Sequence, residues 1–187
     1  MMATNIRDYI KVYDDFLDKQ FCKKVLNELK KINWETHTFV DYSGNRMSHD
    51  NELSVSFDKI EVQEELTKKL WYAVERYILK DFKKRWFYNW NGYTSVRFNK
   101  YDKHTEMKEH CDHIHSIFDG DIRGIPILSI VGCLNDDYKG GEFIMWQTEK
   151  IDIPAGAVLI FPSNFMYPHK VNLVTKGTRY SYVSWVY

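Results

Sequence analysis

The sequence predicts a mainly β fold with helices (α+β): a sandwich or jelly roll with two N-terminal helices packed on one sheet. Three observations predict it. Helical spacing of apolar residues is confined to the chain before about residue 90. From Asn91-Gly92 onward it gives way to short strand-like runs rich in β-branched and aromatic residues, which suit a half-buried pleated surface. Gly- and Pro-bearing turns separate these runs, and many short strands so punctuated indicate two packed sheets. No internal repeat, linker or low-complexity tract interrupts residues 1–187. A single domain is therefore expected, with helical support over about 1–90 and a β core over about 91–187.

Tyr9, Ile10, Val12, Tyr13 and then Phe16 give an apolar alternation within 7–16, an opening strand. Asp18 stands where an N-cap would. Phe21, Cys22, Val25, Leu26 and Leu29 follow at helical spacing, so an amphipathic helix runs from about 18 to 32, its lysines forming a solvated face. Trp34 to Val40 reads as a strand and Asp41-Tyr42-Ser43-Gly44-Asn45 as a turn. Val62, Leu66, Leu70, Val74, Tyr77 and Ile78 form one stripe of a second helix over about 60–80, uninterrupted by Pro or Gly. The next stretch, Lys83-Lys84-Arg85-Trp86-Phe87-Tyr88-Asn89-Trp90, could be a stacking platform for nucleic acid. A helix C-terminus also favours Lys and Arg, and one such cluster does not carry the nucleic-acid reading. Strands are expected at 93–99, about 107–112, 127–134, 142–147, 151–153, 157–161, 169–174 and 178–186, with turns at Asp119-Gly120-Asp121, Asn135 to Gly141, Pro154-Ala155-Gly156 and Lys176-Gly177.

Composition narrows the function classes. Hydrophobic content of 44% and charged content of 28% are those of a soluble globular protein. The formal net charge is zero, so no global field draws the chain to nucleic acid or an anionic membrane. Cys22, Cys111 and Cys133 show no paired spacing, which favours a reducing compartment. The start, Met-Met-Ala-Thr-Asn, lacks the apolar run of a signal peptide, and no segment has the length of a transmembrane helix. A cytoplasmic location is expected.

The chemistry centres on His110-Cys111-Asp112. On an extended strand, alternate side chains share a face, so His110 and Asp112 present an imidazole and a carboxylate side by side. His169, in Tyr167-Pro168-His169-Lys170-Val171, is the candidate third ligand. Two histidines and one carboxylate on one face of a metal leave the opposite positions open, the arrangement of non-haem Fe(II) oxygenases. Ten residues after His169 stands Arg179, whose guanidinium can grip a carboxylate through two parallel hydrogen bonds. On the final strand Arg179, Ser181, Val183 and Trp185 share one face, and Tyr180, Tyr182 and Ser184 the other. His104, His110, His113 and His115 crowd one segment, which raises a zinc site as an alternative. Structural zinc favours Cys-rich sets, and Cys111, on the other strand face, reads as a buried small hydrophobe. His104 and His115 read as solvent or loop histidines, and the parity of His113 points it opposite to Asp112.

The order of these features is an aromatic-led strand, His-x-Asp, Leu134-Asn135, Gly140-Gly141-Glu142, the apolar strand from Pro154 to Pro162, His169 and Arg179-x-Ser181. It resembles the 2-oxoglutarate/Fe(II) dioxygenases, and within them the prolyl 4-hydroxylase-like branch, over about Tyr93 to Tyr187. The resemblance implies a double-stranded β-helix (jelly roll). It implies Fe(II) held by His110, Asp112 and His169, and 2-oxoglutarate whose distal carboxylate is bound by Arg179 with help from Ser181. Tyr101, nine residues before His110, would line the cosubstrate pocket, and Trp185 would stand near the substrate entrance. With O2, and ascorbate as an accessory, such an enzyme converts 2-oxoglutarate to succinate and carbon dioxide while hydroxylating an unactivated C–H. A proline-containing peptide or protein is the expected substrate. Two positions depart from the family: Met107 stands where an aromatic is common, and Gly132-Cys133 replaces an aromatic pair whose Tyr binds the far carboxylate. Asp136 and Asp137 read as turn-capping residues.

A nucleobase oxygenase or demethylase is the first alternative, but a second arginine two to six residues after Arg179 would be expected and none follows. Small-molecule hydroxylation stays open. A non-catalytic jelly-roll binding module is disfavoured by the intact triad and arginine. The loops 41–52 and 113–126 are the expected substrate-recognising segments.

Overall fold

The structure, a computed structural model, describes residues 5–14, 16–40, 43, 45–82, 92–112 and 126–187. A 3-10 turn, Ile6–Tyr9, leads into β1 (Lys11–Tyr13) and α1 (Lys19–Leu29). The short strands β2 (Glu35–Thr36), β3 (Phe39–Val40), β4 (Arg46–Met47) and β5 (Ser54–Ser56) precede α2 (Gln63–Glu75), which continues as a π-helical segment, Arg76–Phe82. Then come β6 (Arg97–Tyr101), β7 (Met107–His110), β8 (Leu128–Cys133), β9 (Lys139–Gly140), β10 (Phe143–Met145) and β11 (Glu149–Ile151). The chain closes with β12 (Val158–Pro162), β13 (His169–Val171), β14 (Val174–Lys176) and β15 (Arg179–Val186).

Two antiparallel sheets make the β core. The larger has the order β1-β12-β8-β15-β6-β5-β2 and the smaller β11-β10-β13-β7. Sequence neighbours such as β12 and β13 fall in opposite sheets, so the chain winds between them as a jelly roll does. One apolar cluster, including Val131, Cys133, Leu159, Phe161 and Val183 from the larger sheet and Phe143, Met145 and Val171 from the smaller, fills the space between the sheets. A second cluster joins the outer face of the larger sheet to the helices, through Phe98, Leu128, Ile130, Val158, Ile160 and Tyr182 on the sheet and Phe21, Val25, Leu66, Leu70 and Val74 on α1 and α2. The expected pair of helices on one sheet is what the structure shows. No described helix is long and apolar enough to cross a membrane.

Local chemistry explains the elements. The Asp18 carboxylate accepts the Phe21 N–H at 2.8 Å, satisfying one of the donors a helix start leaves free. The amphipathic stripe of α1 then buries Phe21, Cys22, Val25 and Leu29, each large apolar side chain contributing roughly 1.5–3 kcal/mol. Gly132 lies directly across from Tyr182 on β15; a Cβ there would sit 1.9 Å from the tyrosine Cζ, so only glycine lets that ring lie flat on the sheet.

Several expectations change. The opening strand is only Lys11–Tyr13 behind a 3-10 turn, and the run from Trp34 to Val40 splits into β2 and β3. The strand placed at 107–112 ends at His110, so Cys111 and Asp112 lie beyond it and alternation no longer governs them. Cys111 is accordingly half-buried, its Sγ 3.6 Å from the Phe165 carbonyl, rather than a core residue. The strand expected at 169–174 divides into β13 and β14. The first of these pairs with β7 and β10 in the smaller sheet, while β15 pairs with β6 and β8 in the larger. The basic-aromatic cluster at 83–90, His113, His115 and most of the 113–126 loop lie outside the described residues, as do Asp41, Tyr42 and Gly44 of the first turn.

Candidate active site

The antiparallel register of β7 and β13 sets His110 directly opposite His169, and the two rings lie 4.4 Å apart, centroid to centroid. The bend after β7 swings Asp112 back between them. His110 Nε2 stands 3.3 Å and His169 Nε2 3.6 Å from the same carboxylate oxygen, Asp112 Oδ1. One ligand atom from each of the three residues lies within 4.8 Å of the others.

The hydrogen bonds around this cluster show that it suits a cation. His110 Nδ1 lies 2.8 Å from the Lys108 carbonyl and His169 Nδ1 3.0 Å from that of Tyr167. A carbonyl can only accept, so each Nδ1 carries the hydrogen, and a ring in its neutral form then has its lone pair on Nε2, facing the centre. Two lone pairs and a carboxylate oxygen then converge with no donor between them, which a divalent metal ion would satisfy. Burial pushes the His169 imidazole down to about 4, keeping it neutral and ready to ligate. Burial works against the Asp112 carboxylate, yet the protonated forms of His169 and His110, with the Ser129 hydroxyl, hold it well below the ordinary carboxylate range, so it stays ionised when the imidazoles give up those protons. Ser129 Oγ donates to the other Asp112 oxygen at 2.5 Å and sets the carboxylate's orientation. The His169 ring is clamped between Phe143, stacked at 5.1 Å, and the edge contact of Phe161 at 5.1 Å.

A small cavity of about 30 Å³ lies against this triad, lined by Tyr101, Asn99, Arg97, Arg179, Ser181 and Trp185 among others. Pairing of β15 with β6 places Arg179 opposite Tyr101 and Ser181 opposite Asn99. Arg179 is 2% exposed; its guanidinium carbon sits 5.0 Å over the Tyr101 ring and one terminal nitrogen donates to Ser181 Oγ at 2.9 Å. Its Nε is buried without a hydrogen-bond partner, and among the described residues no carboxylate lies within ion-pair distance of it. A buried, unpaired guanidinium of this kind calls for an anion. Tyr101 is held neutral by burial.

Trp185 lies at the outer end of this cavity and also lines a larger cleft of about 400 Å³ together with His37, Phe39, His49, Glu52, Arg97 and Met107. Met107, where an aromatic was missing, is thus a wall of both spaces. Cys133 faces the interior beside Tyr138, its Sγ 3.6 Å from the phenol oxygen, while Gly132 faces the helices. Asp136 accepts the Ala155 N–H at 2.7 Å and Asp137 an Asn135 side-chain N–H at 2.5 Å, the turn roles expected of them. His104 is exposed on a loop at positive φ. Sequence reasoning missed Arg97, Asn99, His37 and Glu52. Stepping back by twos from Tyr101 would have found Asn99 and Arg97; nothing in the sequence marks the other two.

Comparison with known proteins agrees with this geometry. Residues 96–187 match the family model of the 2OG-Fe(II) oxygenase superfamily. A PKHD-type hydroxylase of Delftia acidovorans is 29% identical over 97 residues, covering 49% of this chain and 42% of that protein. One from Gluconacetobacter diazotrophicus is 32% identical over 94 residues, covering 47% and 40%. The chain thus spans well under half the length of these curated relatives. In fold, a prolyl-4-hydroxylase from Pseudomonas putida superposes with a TM-score of 0.69 at 16% identity, over 95% of this chain and 91% of that one. The viral collagen prolyl hydroxylase of Paramecium Bursaria Chlorella virus-1, solved with 2OG, gives 0.65 at 17% identity, over 95% and 94%. A prolyl hydroxylase of Trichoplax adhaerens in complex with a hypoxia inducible factor peptide fragment gives 0.69 at 18%, over 96% and 84%. Its β core, residues 96–187, places this chain in the 2OG-Fe(II) oxygenase superfamily, in the fold shared by that superfamily's prolyl hydroxylases.

Proposed function

We propose that this chain is a 2-oxoglutarate- and Fe(II)-dependent dioxygenase that hydroxylates an unactivated C–H of a prolyl residue in a peptide or protein. The observation that carries the reading is Arg179: a fully buried cation with a free Nε and no acidic partner among the described residues, on the same cavity as the His110, Asp112 and His169 cluster. The carboxylate of a cosubstrate supplies what Arg179 lacks. Fe(II), 2-oxoglutarate and O2 are the set that membership of the superfamily implies, and the donor set of the triad fits the iron.

In this reading His110, Asp112 and His169 hold the metal. Bound there with 2-oxoglutarate, iron supplies the oxidising chemistry, in which O2 is consumed, 2-oxoglutarate leaves as succinate and carbon dioxide, and one oxygen atom enters the substrate C–H. The protein's part is geometry. The two carbonyls behind the imidazoles fix their tautomers, and Ser129 aims the carboxylate. Ser181 aligns the Arg179 guanidinium, and the Tyr101 ring beneath it excludes water, so the bond to a bound carboxylate forms in a dry pocket where it is strongest. Trp185 stands where substrate would enter from the outer cleft. The fold shared with prolyl hydroxylases and the aromatic rim of Phe39 and Trp185 support a prolyl peptide over a nucleobase, and residues 1–187 act as one unit.

The test offers proline-rich peptides, free proline and methylated oligonucleotides in parallel, measuring succinate and product mass. Product with a single added oxygen is expected from peptide, and the Asp112→Ala protein should retain neither iron nor succinate formation. Product from the oligonucleotides alone overturns the substrate; unchanged metal stoichiometry in Asp112→Ala overturns the centre.

A further inference from the structure

The cavity has a guanidinium at each end, and the proposed cosubstrate needs only one. On β6, Arg97 and Tyr101 share the face that lines the cavity. They lie four residues apart, roughly 13 Å at about 3.3 Å per residue. Tyr101 is paired with Arg179 at the inner end, and Arg97 with Val183 near Trp185 at the outer end. A five-carbon dicarboxylate gripped at Arg179 and turned toward the triad leaves Arg97 beyond its reach.

Arg97 is also built to be held still and left open. Its Nε donates to Asn99 Oδ1 at 3.0 Å, and its guanidinium carbon lies 5.1 Å over the Trp185 ring, an arrangement that stabilises a cation while stripping water from one face. Neither terminal nitrogen has an acceptor among the described residues. The nearby carboxylates are engaged elsewhere: Glu52 is paired with His37 at 3.1 Å, and Asp112 accepts from Ser129 and stands between the two imidazoles of the triad. Arg97 lines both the triad cavity and the outer cleft, so its free donors stand between the metal cluster and the space through which substrate would come.

We propose that Arg97 anchors the substrate through a carboxylate close to the carbon that is hydroxylated. This rests on the dioxygenase reading and deepens it, since it names an acid-bearing substrate class. A carboxylate is favoured over a peptide carbonyl because a planar fork of donors meets two oxygens at once and because both partners then carry charge.

The experiment uses the full chain with Mn(II) and 2-oxoglutarate under nitrogen, where turnover is blocked. Calorimetry first records metal-dependent 2-oxoglutarate binding. Four probes follow: a capped tetrapeptide with Glu beside Pro and its Gln isostere, and L-proline with L-prolinamide. One acid should bind at least tenfold more tightly than its amide, and which acid does so tells a side-chain carboxylate from a free α-carboxylate. In Arg97→Met, whose melting temperature reports folding, that preference should fall below threefold, and Arg97→Lys should lie between. Equal affinity for acid and amide, no binding of either acid, or a preference that survives Arg97→Met overturns the assignment while the 2-oxoglutarate result leaves the dioxygenase reading standing. Absence of metal-dependent 2-oxoglutarate binding in the unmodified chain removes both.

Discussion

The two faces of the last strand, β15, obey opposite rules. Tyr182, Ser184 and Val186 face the helices in a closed layer: Tyr182 lies on Gly132, Val186 joins the helix-side core, and the Ser184 hydroxyl donates to the Thr94 carbonyl at 2.8 Å. Arg179, Ser181 and Trp185 face the space between the sheets, where Arg179 and Ser181 are just as buried but the guanidinium keeps a nitrogen with no partner. Equal burial therefore does not mean equal purpose. The packing face carries only neutral polar groups, and leaves the Tyr182 hydroxyl without a partner among the described residues, whereas the cavity face carries a charge that the fold leaves uncompensated.

That contrast can be broken by substitutions on either side. Arg179→Met keeps the volume of the pocket face and removes its charge. Loss of a charge-assisted hydrogen bond costs about 1.5–3 kcal/mol, so the dissociation constant for 2-oxoglutarate should rise roughly ten- to a hundredfold. The melting temperature should fall little or rise, because an uncompensated buried cation is removed. Calorimetric titration checks the first and thermal unfolding the second; an unshifted affinity would move the cosubstrate to another base.

On the packing face the signs reverse. Gly132→Ala would put a methyl 1.9 Å from Tyr182 Cζ and 2.4 Å from its Cε1, against a ring the helix-side core holds in place. Overpacking of this sort costs roughly 1–3 kcal/mol, and denaturant unfolding should show it with metal binding intact. The smallest effect belongs to Tyr182→Phe. The Tyr182 hydroxyl is buried with no hydrogen-bond partner among the described residues, so its removal should leave stability unchanged or raise it by about 1 kcal/mol. A clear loss of stability on chemical denaturation would show that the hydroxyl has a partner after all.

Much of this was legible in the chain because it rests on local rules. The spacing of Phe21, Cys22, Val25 and Leu29 behind Asp18 places α1, and that of Leu66, Leu70 and Val74 places α2. The side chains singled out as Arg179, Ser181, Val183 and Trp185 do share a face, since alternation holds along all of β15. Less was legible where a residue leaves its element. Asp112 reaches the two histidines by a bend rather than by strand parity, so its nearness to them was anticipated for a reason the backbone does not supply.

By itself the sequence determined the helices, the β character of the second half, and which side chains could ligate or grip an anion, because periodicity and donor chemistry are properties of near neighbours. Only the tertiary structure decided that His169 stands across from His110 and not beside Arg179, that Arg179 is buried without a counter-charge, and that Arg97 waits at the outer end of the same cavity. Those facts depend on strand pairings across the sequence and on what water can no longer reach. Pairing between distant strands is settled by the packing of whole faces, which no local pattern encodes.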